Sequence, residues 1–92
     1  RTATRRYAMS AQPQTAAARA YVLIEAETGF INAIVAALSE LDAVVAVDAV
    51  VGPCDVIAVI ETLEQRTIGR LVIDELHSIA GVKRTTTCFV IQ

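Results

Sequence analysis

The chain has 92 residues, enough for one domain, and 54% of them are hydrophobic, with a mean hydropathy of +0.52. That much apolar material is hard to hide in so small a monomer. No apolar run approaches the roughly 18–20 residues of a spanning helix, so the pattern favours association of copies over a bilayer. The net charge of −2 conceals an asymmetry: Arg1, Arg5, Arg6 and Arg19 lie in an acid-free first nineteen residues, and the rest carries four basic and ten acidic groups, an acidic body ill suited to binding a phosphate backbone.

Residues 1–19 are rich in Ala, Thr, Gln and Arg, contain Pro13 and show no apolar period, so they read as a disordered tail. Met9-Ser10-Ala11 resembles a native start, which makes residues 1–8 a cloning remnant or an upstream extension. The segment has no apolar h-region of a secretory signal; an organelle transit peptide or a weak nucleic-acid contact is the minor reading of its arginines.

Residues 20–26 form the first predicted strand, centred on Val22, Leu23 and Ile24, and Glu27-Thr28-Gly29 breaks it. A helix follows over residues 30–41, with Ile31, Ile34, Val35, Leu38 and Leu41 on one stripe and Thr28 as N-cap. Residues 44–51 read as a second strand, interrupted only by Asp48, and residues 55–60 as a third. Between them Gly52-Pro53 makes a tight corner, where glycine supplies backbone freedom and proline fixes φ. Residues 56–60 contain no polar side chain, the mark of a central strand covered on both faces. Thr62-Leu63-Glu64-Gln65 fits a capping box for the second helix. That helix carries Ile68, Leu71, Val72, Leu76 and Ile79 on one stripe, is weakened slightly by Gly69 and is stopped by Gly81 in a left-handed conformation. Residues 82–91, rich in β-branched types, form the last strand.

The sequence repeats itself: strand, Glu27-Thr28, helix, Val44, strand is echoed by strand, Glu61-Thr62, helix, Val82, strand. Two tandem β-α-β units predict an α+β, ferredoxin-like βαββαβ fold. Its four-stranded antiparallel sheet has the order 4-1-3-2, and right-handed crossovers place both helices on one face. Cys54 and Cys88 then lie on strands separated by strand one, about 9–10 Å apart and too far for a disulfide. Two free thiols suit a reducing, cytoplasmic compartment. The uncovered face needs a second sheet, most simply from another copy in a face-to-face dimer.

The βαββαβ order, with Gly52-Pro53-Cys54-Asp55 between strands two and three and Gly81-Val82-Lys83-Arg84-Thr85-Thr86-Thr87 entering strand four, resembles the ligand-binding (RAM) domain of the Lrp/AsnC regulator family. The likeness covers residues 20–92. The family pattern, roughly Gly-x-Tyr-Asp and Gly-Val-x-x-Thr-x-Thr, is matched at Gly52, Asp55, Gly81, Val82, Thr85 and Thr87; Cys54 departs from the usual Tyr. Family members typically carry a helix-turn-helix DNA-binding domain ahead of the sheet, whereas nineteen residues without helical periodicity precede it here. The chain thus looks like a stand-alone version or a fragment, with no direct DNA binding expected. The resemblance implies dimers that assemble further into octamers or decamers (the dimeric α+β barrel arrangement). It also implies an amino acid bound where dimers meet, and a full-length relative as a possible partner.

The residues support such a site independently. Asp55 offers an acceptor for an ammonium, while the Gly52 backbone and the Thr85 and Thr87 hydroxyls offer donors for a carboxylate, with Pro53 and Cys54 completing the corner. The plainer alternative makes Gly52-Pro53 a turn capped by Asp55, and Thr85 and Thr87 ordinary strand formers. Cys54 has no base placed to activate it, and His77, the sole histidine, reads as a partly exposed residue of the second helix. Asp74 and Glu75 read as a solvated helix face. No metal-ligand spacing and no glycine-rich phosphate loop occurs, so no cofactor or metal is expected. The reading is a non-enzymatic amino-acid-sensing and oligomerising module for transcription regulation. The alternatives are a small enzyme of the dimeric α+β barrel type, which would turn on His77 or haem, and an ACT-like regulatory domain.

Overall fold

The computed structural model describes residues 18–91. The elements are β1 (Ala18–Ala26), α1 (Ile31–Ser39), β2 (Val44–Ala49), β3 (Val56–Thr62), α2 (Gln65–Asp74), a 3-10 turn (Leu76–Ser78) and β4 (Val82–Phe89). All neighbouring strands pair antiparallel in the order β2-β3-β1-β4, which is the expected 4-1-3-2 read from the other edge.

Alternation along the two inner strands decides which side chains meet the helices. Ala18, Ala20, Val22 and Ile24 of β1 and Val56, Ala58 and Ile60 of β3 are buried on one face. Against them lie Ile34 and Leu38 of α1, Ile68 and Val72 of α2, and Leu76 of the 3-10 turn, in one continuous core. Ile31, Val35, Leu41, Leu71 and Ile79 pack around it half-buried, so both predicted stripes are the faces that close the core. Burying a side chain of this size contributes about 1.5–3 kcal/mol, and this layer holds the sheet to the helices.

Neither helix reaches the opposite face. There Tyr21, Leu23, Ile57 and Val59 form a half-exposed apolar centre. The Arg19 guanidinium stacks over the Tyr21 ring at 5.6 Å and its Nε lies 3.4 Å from Glu61 Oε2. At the other end of the face Arg84 and Glu25 approach to 3.9 Å. The strand of residues 56–60 is therefore central in the sheet, but within one chain it is covered on one side only. The apolar residues facing away from the helices are what made it read as covered twice.

The element ends differ from the sequence reading for identifiable reasons. Ala18 and Arg19, assigned to the tail, open β1 because Ala18 pairs with Thr62 and Arg19 with Glu61; the other residues of the predicted tail lie outside the described residues. β2 stops at Ala49 and β4 at Phe89, each two residues short of the expected end, while β3 runs on to Thr62. Thr28 caps no helix. A turn in which the Phe30 N–H donates to the Glu27 carbonyl (3.0 Å) delays α1, whose N-cap is Phe30, without a side-chain cap. Leu41 falls beyond that helix. The capping box does not form either: the Thr62 hydroxyl donates to the Glu64 carbonyl at 2.6 Å, and Glu64 becomes the N-cap of α2.

Gly69 sits inside α2 with nothing within 4 Å of where a Cβ would stand. Gly69→Ala is expected to stabilise the domain by about 0.5–1 kcal/mol through helix propensity alone. Denaturant titration checks this, and a lower midpoint for the variant would mean that the open space is needed.

Candidate functional site

β1, β2 and α2 all end at the same end of the sheet, and β3, α1 and β4 all begin there. This follows from the antiparallel registers, in which Ile24 pairs with Val56 on one side and with Thr85 on the other. The Gly52–Asp55 corner and the entry of β4 therefore flank the last residues of β1.

Asp55 locks the corner onto β1. Its N–H donates to the Ile24 carbonyl (2.9 Å), its own carbonyl accepts from the Val50 N–H (2.9 Å), and its Oδ2 accepts from the Ala26 N–H at 2.8 Å. The side chain is half-buried, and among the described residues only its Oδ2 is committed to the backbone. Oδ1 is thus available to accept from a cation. Gly52 and Pro53 are exposed, whereas Cys54 is buried, with 7% of its surface accessible. The corner turns without left-handed geometry at Gly52: positive φ occurs among the described residues only at Gly29 and Gly81. A Cβ at Gly52 would meet nothing within 4 Å. The backbone freedom expected of this glycine is not used, and the Val50–Asp55 bond closes the turn.

Across β1, Thr85 stands opposite Ile24 and Thr87 opposite Val22, both half-buried on the face that carries the helices. Thr86, between them, belongs to the open face with Leu23. Thr85 is held from above, with His77 Nε2 lying 2.8 Å from Thr85 Oγ1. His77 belongs to the 3-10 turn rather than to the second helix, and it is exposed. Sequence reasoning missed this pairing, and no periodicity signals a contact made through an irregular turn.

Gly81 joins the two halves. Its carbonyl accepts from the Glu27 N–H at 2.7 Å, and the Phe30 side chain fills the space where a Cβ would stand. With φ at +96° it has the left-handed conformation expected of it, although the 3-10 turn separates it from the end of α2.

The structure brings Asp55 and Thr85 to one end of the sheet on opposite sides of β1, on backbones two strand spacings, about 10 Å, apart. Thr87 lies one strand pair deeper, opposite Val22. Cys54 and Cys88 are both free thiols, the first buried and the second exposed near the other end of the sheet, opposite Tyr21. No group of three His, Cys, Asp or Glu side chains able to hold a metal ion occurs among the described residues, and no helix there is long and apolar enough to cross a membrane.

Residues 19–92 match the family model for the Lrp/AsnC ligand binding domain. No curated protein matches the chain in sequence. Among solved structures, TTHA0845 from Thermus thermophilus is 29% identical, with a TM-score of 0.78 over 82% of this chain and 94% of that one. AsnC from E. coli superposes with a TM-score of 0.80 at 16% identity, over 88% of this chain and 55% of that one. A transcriptional regulator from Neisseria meningitidis, NMB0573, solved as a complex with L-Met, has a TM-score of 0.77 at 17% identity, over 88% and 54%. At those identities the last two share the fold, and the chain spans about half their length.

Proposed function

The chain belongs to the Lrp/AsnC ligand-binding domain family, and from that premise we propose that it is a non-enzymatic module that senses an amino acid and assembles in response. What supports this reading is that Asp55, whose Oδ2 is bonded to the Ala26 N–H, and Thr85, which pairs with Ile24, flank the end of β1 on its two sides. An α-amino acid places its ammonium and carboxylate about 3 Å apart, and a hydrogen bond of about 2.8 Å at each end brings the span to about 9 Å. That is comparable with the two strand spacings, about 10 Å, between the backbones that carry them, with Thr87 and the exposed Gly52-Pro53 backbone as further contacts and Cys54 completing the corner. The L-Met in the Neisseria regulator's complex supports an amino acid as the effector class.

Assembly supplies the rest of the mechanism. The apolar centre of Tyr21, Leu23, Ile57 and Val59 is the face a second copy would cover, giving a face-to-face dimer. An effector bound where dimers meet would favour octamers or decamers by linkage, because it binds only the form that makes the pocket. The output would be regulatory, through a full-length relative that binds DNA, in a cytoplasm that keeps Cys54 and Cys88 reduced.

A thermal-unfolding screen against the common amino acids, with light scattering on the same samples, tests this. An effector at a hundredfold its Kd adds about 2.7 kcal/mol, a shift on the order of 10–20 °C for a domain of this size. The expected result is that one or a few amino acids raise the midpoint and change the mass of an oligomer. A monomer by scattering would end the dimer reading, and no response to any amino acid at millimolar concentration would end the sensor reading.

A further inference from the structure

We propose that His77 is a positioning residue of the effector site, donating Nε2–H to Thr85 so that the Thr85 hydroxyl hydrogen points outward to a carboxylate. The inference rests on the reading of this end of the sheet as an amino-acid site.

Hydrogen-bond capacity ties the two residues to the ligand. A threonine hydroxyl has one hydrogen to donate and two lone pairs that accept. His77 Nε2 lies 2.8 Å from Thr85 Oγ1, so one of these two atoms gives its proton to the other. If Nε2 were the bare nitrogen, it would take the only hydrogen Thr85 has, leaving lone pairs turned toward an incoming carboxylate and repelling it. With Nε2 protonated, Thr85 accepts from His77 and keeps its hydrogen for the ligand. The imidazole thereby decides whether this end of the site is a donor or an acceptor, and hence whether an acid is distinguished from its amide.

The fold is arranged to hold that relation. His77 lies in the 3-10 turn Leu76–Ser78, whose first residue is fully buried in the core and pins the turn. The Ser78 hydroxyl donates to the Asp74 carbonyl (2.9 Å), and the Ile79 N–H donates to the Leu76 carbonyl (3.1 Å), so the turn is bonded on both sides of the histidine. Thr85 is fixed from beneath by its pairing with Ile24. Both partners therefore sit on anchored backbone, and the bond between them does not depend on a flexible loop.

Two measurements test the proposal. Nitrogen-edited NMR of the imidazole in the effector-free protein reads the tautomer directly. Protonated Nε2, with a resonance that moves in Thr85→Val, is expected; unprotonated Nε2 overturns the proposal whether or not an effector is ever found. The second measurement is the affinity for the common L-amino acids and their amides. His77→Leu is expected to weaken an amino acid by about tenfold while leaving its amide nearly unchanged. His77→Gln, which keeps an N–H donor, should recover most of the loss. In a Thr85→Val background His77→Leu should cost nothing more, since there is no hydroxyl left to orient. Equal losses in His77→Leu and His77→Gln, or additive losses with Thr85→Val, would reduce His77 to packing. If no amino acid binds the wild type, the sensor reading fails, and the tautomer measurement still decides whether His77 presents Thr85 as a donor.

Discussion

Gly81→Ala is expected to destabilise the domain by about 2–5 kcal/mol, which would lower the melting midpoint on the order of 10–40 °C. Two costs add. At φ +96° a side chain is strained wherever it points, typically by about 1–2 kcal/mol. The new methyl would also overlap Cβ, Cγ and Cδ2 of Phe30, and forcing such an overlap costs about 1–3 kcal/mol. Phe30 yields only by moving the start of α1, because its own carbonyl accepts the first helical bond, from Ile34 N–H at 2.9 Å. Adding Phe30→Ala removes the ring but leaves its Cβ and the backbone strain, so it should restore only part of the loss. Denaturant midpoints for the single and double variants check both statements. A Gly81→Ala protein within about 0.5 kcal/mol of wild type would show that this junction relaxes freely.

Substitutions separate the structural bond Asp55 makes from the binding role proposed for it. Asp55→Ala removes the acceptor for Ala26 N–H and should cost about 1–3 kcal/mol of stability, because that donor is left unmet. Asp55→Asn keeps an oxygen for Ala26 and should cost less than about 1 kcal/mol. Both remove the negative charge proposed to face an ammonium, so both should weaken amino-acid binding by about tenfold or more. Calorimetric titration beside a denaturation curve separates the two. If Asp55→Asn bound an amino acid as tightly as wild type, Asp55 would be a structural lock and nothing else.

Much of this architecture is legible in the residue pattern, for physical reasons. Helical period and strand alternation report burial, so Ile34, Leu38, Ile68 and Val72 declare the inner faces of α1 and α2, and the repeated strand-helix-strand unit declares the topology. Hydroxyls are harder to read, since a threonine satisfies whichever backbone group lies nearest. Thr62 donates to Glu64 instead of accepting from a helical N–H, and Thr28 caps nothing. Glycine carries the opposite ambiguity. Gly52 and Gly81 look alike in a sequence, yet only the second uses a left-handed φ, and a Cβ would meet a neighbouring segment at the second and nothing at the first. Of the candidate site, Asp55 and Thr85 are visible as chemistry. The His77–Thr85 bond and the Asp55–Ala26 bond are not, since each depends on where a distant backbone passes.

The strand order also sets a sequence in time. Of the four strands of this sheet, β1 leaves the ribosome first and is satisfied last: Ala20 waits for Ile60 before one edge is paired and for Phe89 before the other is. Until β4 has been made, this apolar strand has at least one bare edge, able to pair with any nascent neighbour. Such distant pairings slow folding, because the loop must close before any contact rewards it. A message that ended just short of β4 would leave that edge permanently open, and the shortened product would be one for chaperones and proteases to clear. In this fold the 8 residues of β4 act as the seal that makes the first strand safe.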